Sequence, residues 1–70
     1  MIIVSNTKYK HYQELIIRKR GLFRNKTIVY RKYDDWIFQY YCYNNMRQLG
    51  YYESSYILPY FSINIVDKSN

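Results

Sequence analysis

The sequence predicts a mainly β fold: a small antiparallel barrel of the OB or SH3-like kind, in one domain spanning residues 1–70, with one short helix around 34–49 left open as the alternative to strand there. Three observations carry this. The 70 residues include 11 tyrosines and no alanine, a composition that favours strands and weakens any helix. Short runs alternate between apolar and polar residues, as a strand with one wet face does. Turn residues punctuate these runs at short intervals, with no credible crossover helix between them.

Taken in order, Ile2–Ser5 is a short apolar start suited to an edge strand. From Tyr9 to Arg20, Leu15 and Ile17 point to one side, while Glu14, Ile16 and Arg18 point to the other; a helix over Lys8–Lys19 is the competing reading. Gly21–Asn25 reads as a loop, because glycine permits positive φ and asparagine tolerates it. Lys26–Tyr33 is rich in β-branched residues and reads as the returning strand of a hairpin. Trp36–Tyr43 has strong strand preference, yet Asp34 or Asp35 could cap a helix ending at Leu49-Gly50. Asn44-Asn45 reads as a turn. Met46–Tyr52, Tyr56–Leu58 and Phe61–Val66 read as further short strands, separated by Glu53-Ser54-Ser55 and by Pro59.

A chain this short buries only about 60% of the surface its unfolded form exposes. Such domains usually add disulfides, a metal or a partner. With Cys42 its only cysteine and His11 its only histidine, the chain has no internal disulfide and no Cys/His zinc cage, so either a partner or unusually good packing is expected. No cofactor is expected. Ile, Lys, Asn, Tyr and Phe make up half the chain, and their A/T-rich codons point to an A/T-rich genome such as that of an organelle, a phage or a parasite.

The net charge is +6, and it is unevenly placed. Lys8, Lys10, Arg18, Lys19, Arg20, Arg24, Lys26, Arg31 and Lys32 face only Glu14, a net +8. Elsewhere Arg47 and Lys68 stand against Asp34, Asp35, Glu53 and Asp67, a net −2. A basic half beside a weakly acidic one is the footprint of a phosphate-binding surface. The Gly21–Asn25 hairpin thus presents a cationic tip. Tyrosine adds a face for stacking and a hydroxyl for sugar or phosphate. Tyr9, Tyr12, Tyr30 and Tyr33 flank the cations, and Tyr12 and Tyr30 join the nine cations as candidate RNA-binding residues.

Catalytic chemistry is sparse. His11 sits among lysines, Cys42 between tyrosines reads as a small buried hydrophobe, and Asp34-Asp35 reads as a cap or turn. There is no glycine-rich phosphate loop and no metal-ligand spacing. An enzyme with a small-molecule substrate is not expected. No apolar run approaches the roughly 20 residues of a membrane span, and Met1–Ser5 does not read as a secretory or transit segment.

Three segments in order resemble one family. Leu15-Ile16-Ile17-Arg18-Lys19-Arg20-Gly21 resembles the strand and basic glycine turn opening the N-terminal OB-type barrel of large-subunit ribosomal protein two. Tyr30-Arg31-Lys32-Tyr33-Asp34 resembles its next strand. Tyr52-Glu53 with Tyr56-Ile57-Leu58-Pro59 resembles its later hairpin. The family's turn holds several glycines and a histidine, whereas Gly21 here is followed by Leu22, Phe23 and Arg24. The resemblance implies a reduced or split version whose rRNA contacts carry over as Arg18, Lys19, Arg20, Arg24, Lys26 and Arg31. Leu49-Gly50-Tyr51-Tyr52 is also similar to a motif of small-subunit ribosomal protein sixteen, and Asn25-Lys26-Thr27-Ile28-Val29 to one of small-subunit protein seventeen.

The expectation is a structural ribosomal protein that binds rRNA without catalysis. Its partners would be rRNA and neighbouring ribosomal proteins, on an organellar (mitochondrial or plastid) ribosome and otherwise in the cytoplasm. The alternative is a small protein-binding module or accessory subunit of a phage, parasite or organellar complex, since tyrosine and arginine also mark protein interfaces.

Overall fold

The computed structural model describes residues 1–70. Its strands are β1 (Ile2–Lys8), β2 (Tyr12–Lys19), β3 (Lys26–Tyr33), β4 (Phe38–Cys42), β5 (Asn45–Gln48) and β6 (Val66–Asp67). Helix α1 (Tyr51–Ile57) and a 3₁₀ segment (Leu58–Ser62) lie between β5 and β6. The strands form one sheet in the order β5-β4-β3-β2-β1-β6. Every pair is antiparallel except β1 with β6, so the sheet is mixed. The mainly β, barrel-like class expected from the sequence is the class observed. The sheet does not close on itself by strand pairing, because β5 and β6 are its two ends.

The register sorts side chains onto two faces. Leu15 lies opposite Tyr30 and Tyr30 opposite Tyr40, while Ile17, Ile28 and Cys42 form the next row. These rows face the core, where Leu15, Ile17, Ile28, Phe38 and Cys42 meet Leu49, Ile57 and Phe61 from beyond the strands. The buried Cys42 is the small hydrophobe its position between tyrosines suggested.

One polar side chain enters this layer. Asn6 is 2% exposed. Its Nδ2 donates to the carbonyls of Phe61 at 3.0 Å and Ile63 at 2.8 Å, with a longer contact of 3.4 Å to that of Tyr60. Its Oδ1 accepts from Gln13 Nε2 at 2.8 Å, and that nitrogen also donates to the Phe61 carbonyl. The two amides thereby fasten the 3₁₀ segment to the sheet, and no buried side-chain polar atom lacks a partner.

The first half of the chain follows its sequence reading closely. β3 has the expected bounds and β2 lies within the expected run. The start extends as a strand to Lys8, and β6 covers only Thr7 and Lys8, so Ile2–Ser5 does run along an edge. Residues 34–37 are a turn and the residues from Phe38 to Gln48 are a strand hairpin rather than a helix, with the β4–β5 turn at Tyr43-Asn44, one residue earlier than read, and Tyr43 at φ 56°.

The later segments differ. The one helix is at Tyr51–Ile57, and Gly50 precedes it in extended conformation instead of ending a helix. Arg47 makes two hydrogen bonds to Glu53 in the first turn, at 2.9 and 2.8 Å, where an acid also suits the helix dipole. These bonds hold the Glu53 carboxyl below its ordinary pKa. Ile57 and Phe61, four residues apart, both point into the core. Tertiary contact therefore overrides the strand preference of Tyr51, Tyr52 and Tyr56, all exposed. The Tyr56–Pro59 stretch, likened above to a hairpin, is helical for the same reason. Of the alternating run Phe61–Val66, only Val66 pairs, because Asn6 holds the carbonyls of Phe61 and Ile63 and Asn64 turns the chain at φ 50°.

Asn6→Ala should remove the bonds to Phe61, Ile63 and Gln13, each worth about 0.5–1.5 kcal/mol, and leave the Ile63 carbonyl without its partner. At about 4–8 °C per kcal/mol for a domain of this size, the melting temperature followed by circular dichroism should fall by about 10 °C or more. An unchanged melting temperature would contradict the fastening role.

Candidate nucleic-acid interface

With α1 and the 3₁₀ segment on the core face, the other face of the sheet is left partly exposed across β2, β3 and β4. Its rows follow from the register: Tyr12 beside Tyr33, Glu14 beside Arg31 and Gln39, Ile16 beside Val29 and Tyr41, and Arg18 beside Thr27. Alternation puts residues two apart on the same side, so this set follows once Leu15 and Ile17 are committed to the core.

Arg31 is the centre. Its Nε donates to Glu14 Oε2 at 3.1 Å, and its guanidinium carbon lies 5.6 Å from the Tyr12 ring centre and 5.1 Å from that of Tyr41. Tyr33 donates its hydroxyl to Gln39 Oε1 at 3.3 Å, which steadies the ring next to Tyr12. Tyr9, Tyr12 and Tyr33 form a row of rings with centres 4.9 and 5.6 Å apart. Planar groups held flat beside a fixed cation can stack on bases or pair with phosphate.

The face runs into the basic end of the β2–β3 hairpin. Arg24 Nε donates to the Tyr43 hydroxyl at 3.0 Å, and its guanidinium carbon sits 4.5 Å from that ring centre. Lys19 and Lys26 lie directly opposite each other in the last pair of the hairpin. Like charges so placed repel. Neither has an ion-pair partner.

The eleven candidates therefore divide. Arg18, Arg31 and Tyr12 share the open face; at the hairpin end Arg20 and Arg24 lie in the loop, while Lys19 and Lys26 are in step with Ile17 and Ile28 and leave the sheet on its core side. Lys8 and Lys10 lie at the far end, around the β1–β2 turn. Lys8 stands beside Asp67 in register. Lys32 reaches over Trp36, 4.9 Å from the ring centre. Tyr30 is on the core side, edge-on to Tyr40 at 5.6 Å, and burial there raises its phenol pKa; the structure does not bring it to this face. Tyr41, Gln39 and Tyr43 belong to the site although the sequence reading did not select them. The phase of β4 was the available signal, since Tyr41 is in step with Gln39.

His11 and Asp34 approach at 3.6 Å on the surface, both well exposed. No group of three or more His, Cys, Asp or Glu side chains is placed to hold a metal ion. No helix is long and apolar enough to cross a membrane. No protein-family model, curated protein or solved structure matches the chain.

The two faces should respond differently to truncation. Arg31→Ala, which breaks a partly buried ion pair, should cost about 1 kcal/mol in urea unfolding. Tyr30→Ala on the core side should cost about 2 kcal/mol or more. Equal losses would contradict the division of the sheet.

Proposed function

We propose that this chain is a non-catalytic RNA-binding protein that grips structured RNA between its open sheet face and its basic hairpin. The observation that carries the reading is the continuity of the two. Arg31, set between Tyr12 and Tyr41, leads without an intervening acid other than Glu14 to Arg18, Lys19, Arg20, Arg24 and Lys26. Arginine pairs bidentately with phosphate, lysine adds mobile charge, and tyrosine offers a stacking surface. The protein acts by charge neutralisation and shape fitting, without turnover. A small basic domain of this kind suits the ribosome. The resemblance of Leu15–Gly21 and Tyr30–Asp34 to a ribosomal barrel supports rRNA as the partner, and the A/T-rich composition supports an organellar setting.

A second reading has its own observation. Trp36, with φ at 64°, and Tyr51 stand exposed on either side of an apolar cleft of about 470 Å³ lined also by Phe38, Leu49 and Leu58. Exposed aromatic residues around such a cleft also suit a protein neighbour. That contact lies on the core side of the sheet, so it is compatible with RNA on the open face. A partner retained after nuclease treatment would support it.

Binding to a structured RNA should be strongly salt-dependent. About five phosphate contacts give a log–log slope near −4, so a fourfold rise in salt should weaken binding about two hundredfold. Replacing Arg18, Arg20 and Arg24 together with Gln should make that slope shallower by about 2–3, with the circular dichroism spectrum unchanged. A flat salt response of the unaltered protein would contradict the proposal.

A further inference from the structure

The tip of the β2–β3 hairpin holds two large apolar side chains in water, Leu22 at 91% and Phe23 at 95% exposure. The loop behind them is tightly folded. A Cβ added to Gly21 would collide with the Arg24 carbonyl oxygen, so glycine is what lets the chain double back and thrust the next two residues outward. Arg18, Lys19, Arg20, Arg24 and Lys26 surround the base of the tip, all exposed. No acidic residue lies between Glu14 and Asp34 in the chain.

An apolar point inside a ring of cations calls for a partner that is anionic outside and apolar within. RNA and an anionic bilayer both answer that description, and the geometry favours RNA. The tip's neighbours are planar: the Arg24 guanidinium rests on the Tyr43 ring, next in sequence to the Phe23 ring. Flat groups match the faces of bases, whereas lipid tails make no use of flatness.

We propose that Leu22 and Phe23 form a wedge that enters an opened base step, so that the preferred ligand is an RNA helix interrupted by a bulge, not a uniformly paired one. The proposal rests on the RNA-binding reading of the adjoining face. Apolar side chains wedge between base steps in known modes of nucleic-acid binding, unstacking them. Uniform A-form RNA hides its base edges in a deep, narrow groove, while unpaired nucleotides expose their faces. Opening a step is cheapest where a base is already unpaired. The surrounding cations then meet the phosphates on either side of the opened step.

The test uses the full chain and two RNA hairpins of equal length, one fully paired and one carrying a single 2-aminopurine bulge. The unaltered protein should prefer the bulged hairpin by about tenfold, the range expected for stacking one base, and should change the 2-aminopurine fluorescence. Leu22→Ser combined with Phe23→Ser should abolish both the preference and the fluorescence change while leaving the salt slope intact. Phe23→Trp should keep the preference. Equal affinity of the unaltered protein for the two hairpins, or a preference surviving in the double serine variant, would overturn the wedge with RNA binding itself still standing. Loss of salt-dependent binding to both hairpins would instead overturn the underlying reading and the wedge with it. Vesicles containing phosphatidylserine provide the other arm. If the double serine variant loses vesicle binding and keeps its RNA preference, the tip is a membrane anchor and the proposal fails.

Discussion

The side-chain amide of Asn6 fastens the cover of this sheet to its apolar face. A sheet with leucine, isoleucine and phenylalanine on one face needs something to lie against. Here the cover is a seven-residue helix followed by a 3₁₀ segment, too short to be stable alone. Asn6 supplies the attachment by engaging backbone carbonyls of Phe61 and Ile63, with Gln13 completing the network. In a low-dielectric interior such bonds are strong and their loss is costly. Ile57 and Phe61 then reach the core, and the Arg31 face is left to the solvent.

The opposite end of the molecule shows the reverse arrangement. Around the β2–β3 hairpin, charges are concentrated and not neutralised, with Lys19 facing Lys26 across the ladder. Repulsion of this kind works against folding, and a 70-residue domain has little stability to spare. An anionic partner removes the repulsion and adds contacts where the domain's own core does not reach. On the proposed RNA-binding reading, stability and binding are therefore linked. Occupation of the basic face should hold the fold, as any ligand specific to the native state does.

The β-hairpin was legible in the sequence because its signals are local: Leu15 and Ile17 alternate with Glu14, Ile16 and Arg18, and Lys26–Tyr33 has the β-branched content of a strand. The cationic cluster was legible because Arg18 to Lys26 are contiguous in the chain, so any fold would gather them near one another. The helix was not, since nothing local outweighs the strand preference of Tyr51, Tyr52 and Tyr56; it depends on Arg47 reaching Glu53 and on Ile57 and Phe61 finding the core. The tyrosines of the open face were only half legible. Proximity to cations pointed to Tyr12 and also to Tyr30, which the pleat turns to the other side. Tyr41 reaches Arg31 across the β3–β4 register, a relation that no window of sequence contains.

The central claim is that one face of the sheet and the hairpin beyond it are the RNA-binding surface. Amide chemical-shift mapping with a structured RNA tests it most directly. Shifts should be concentrated at Tyr12, Arg18, Phe23, Arg24, Arg31 and Tyr41, with Leu15, Ile28 and helix α1 little changed. Shifts centred on Trp36, Tyr51 and Tyr56, or no shifts at all, would contradict it.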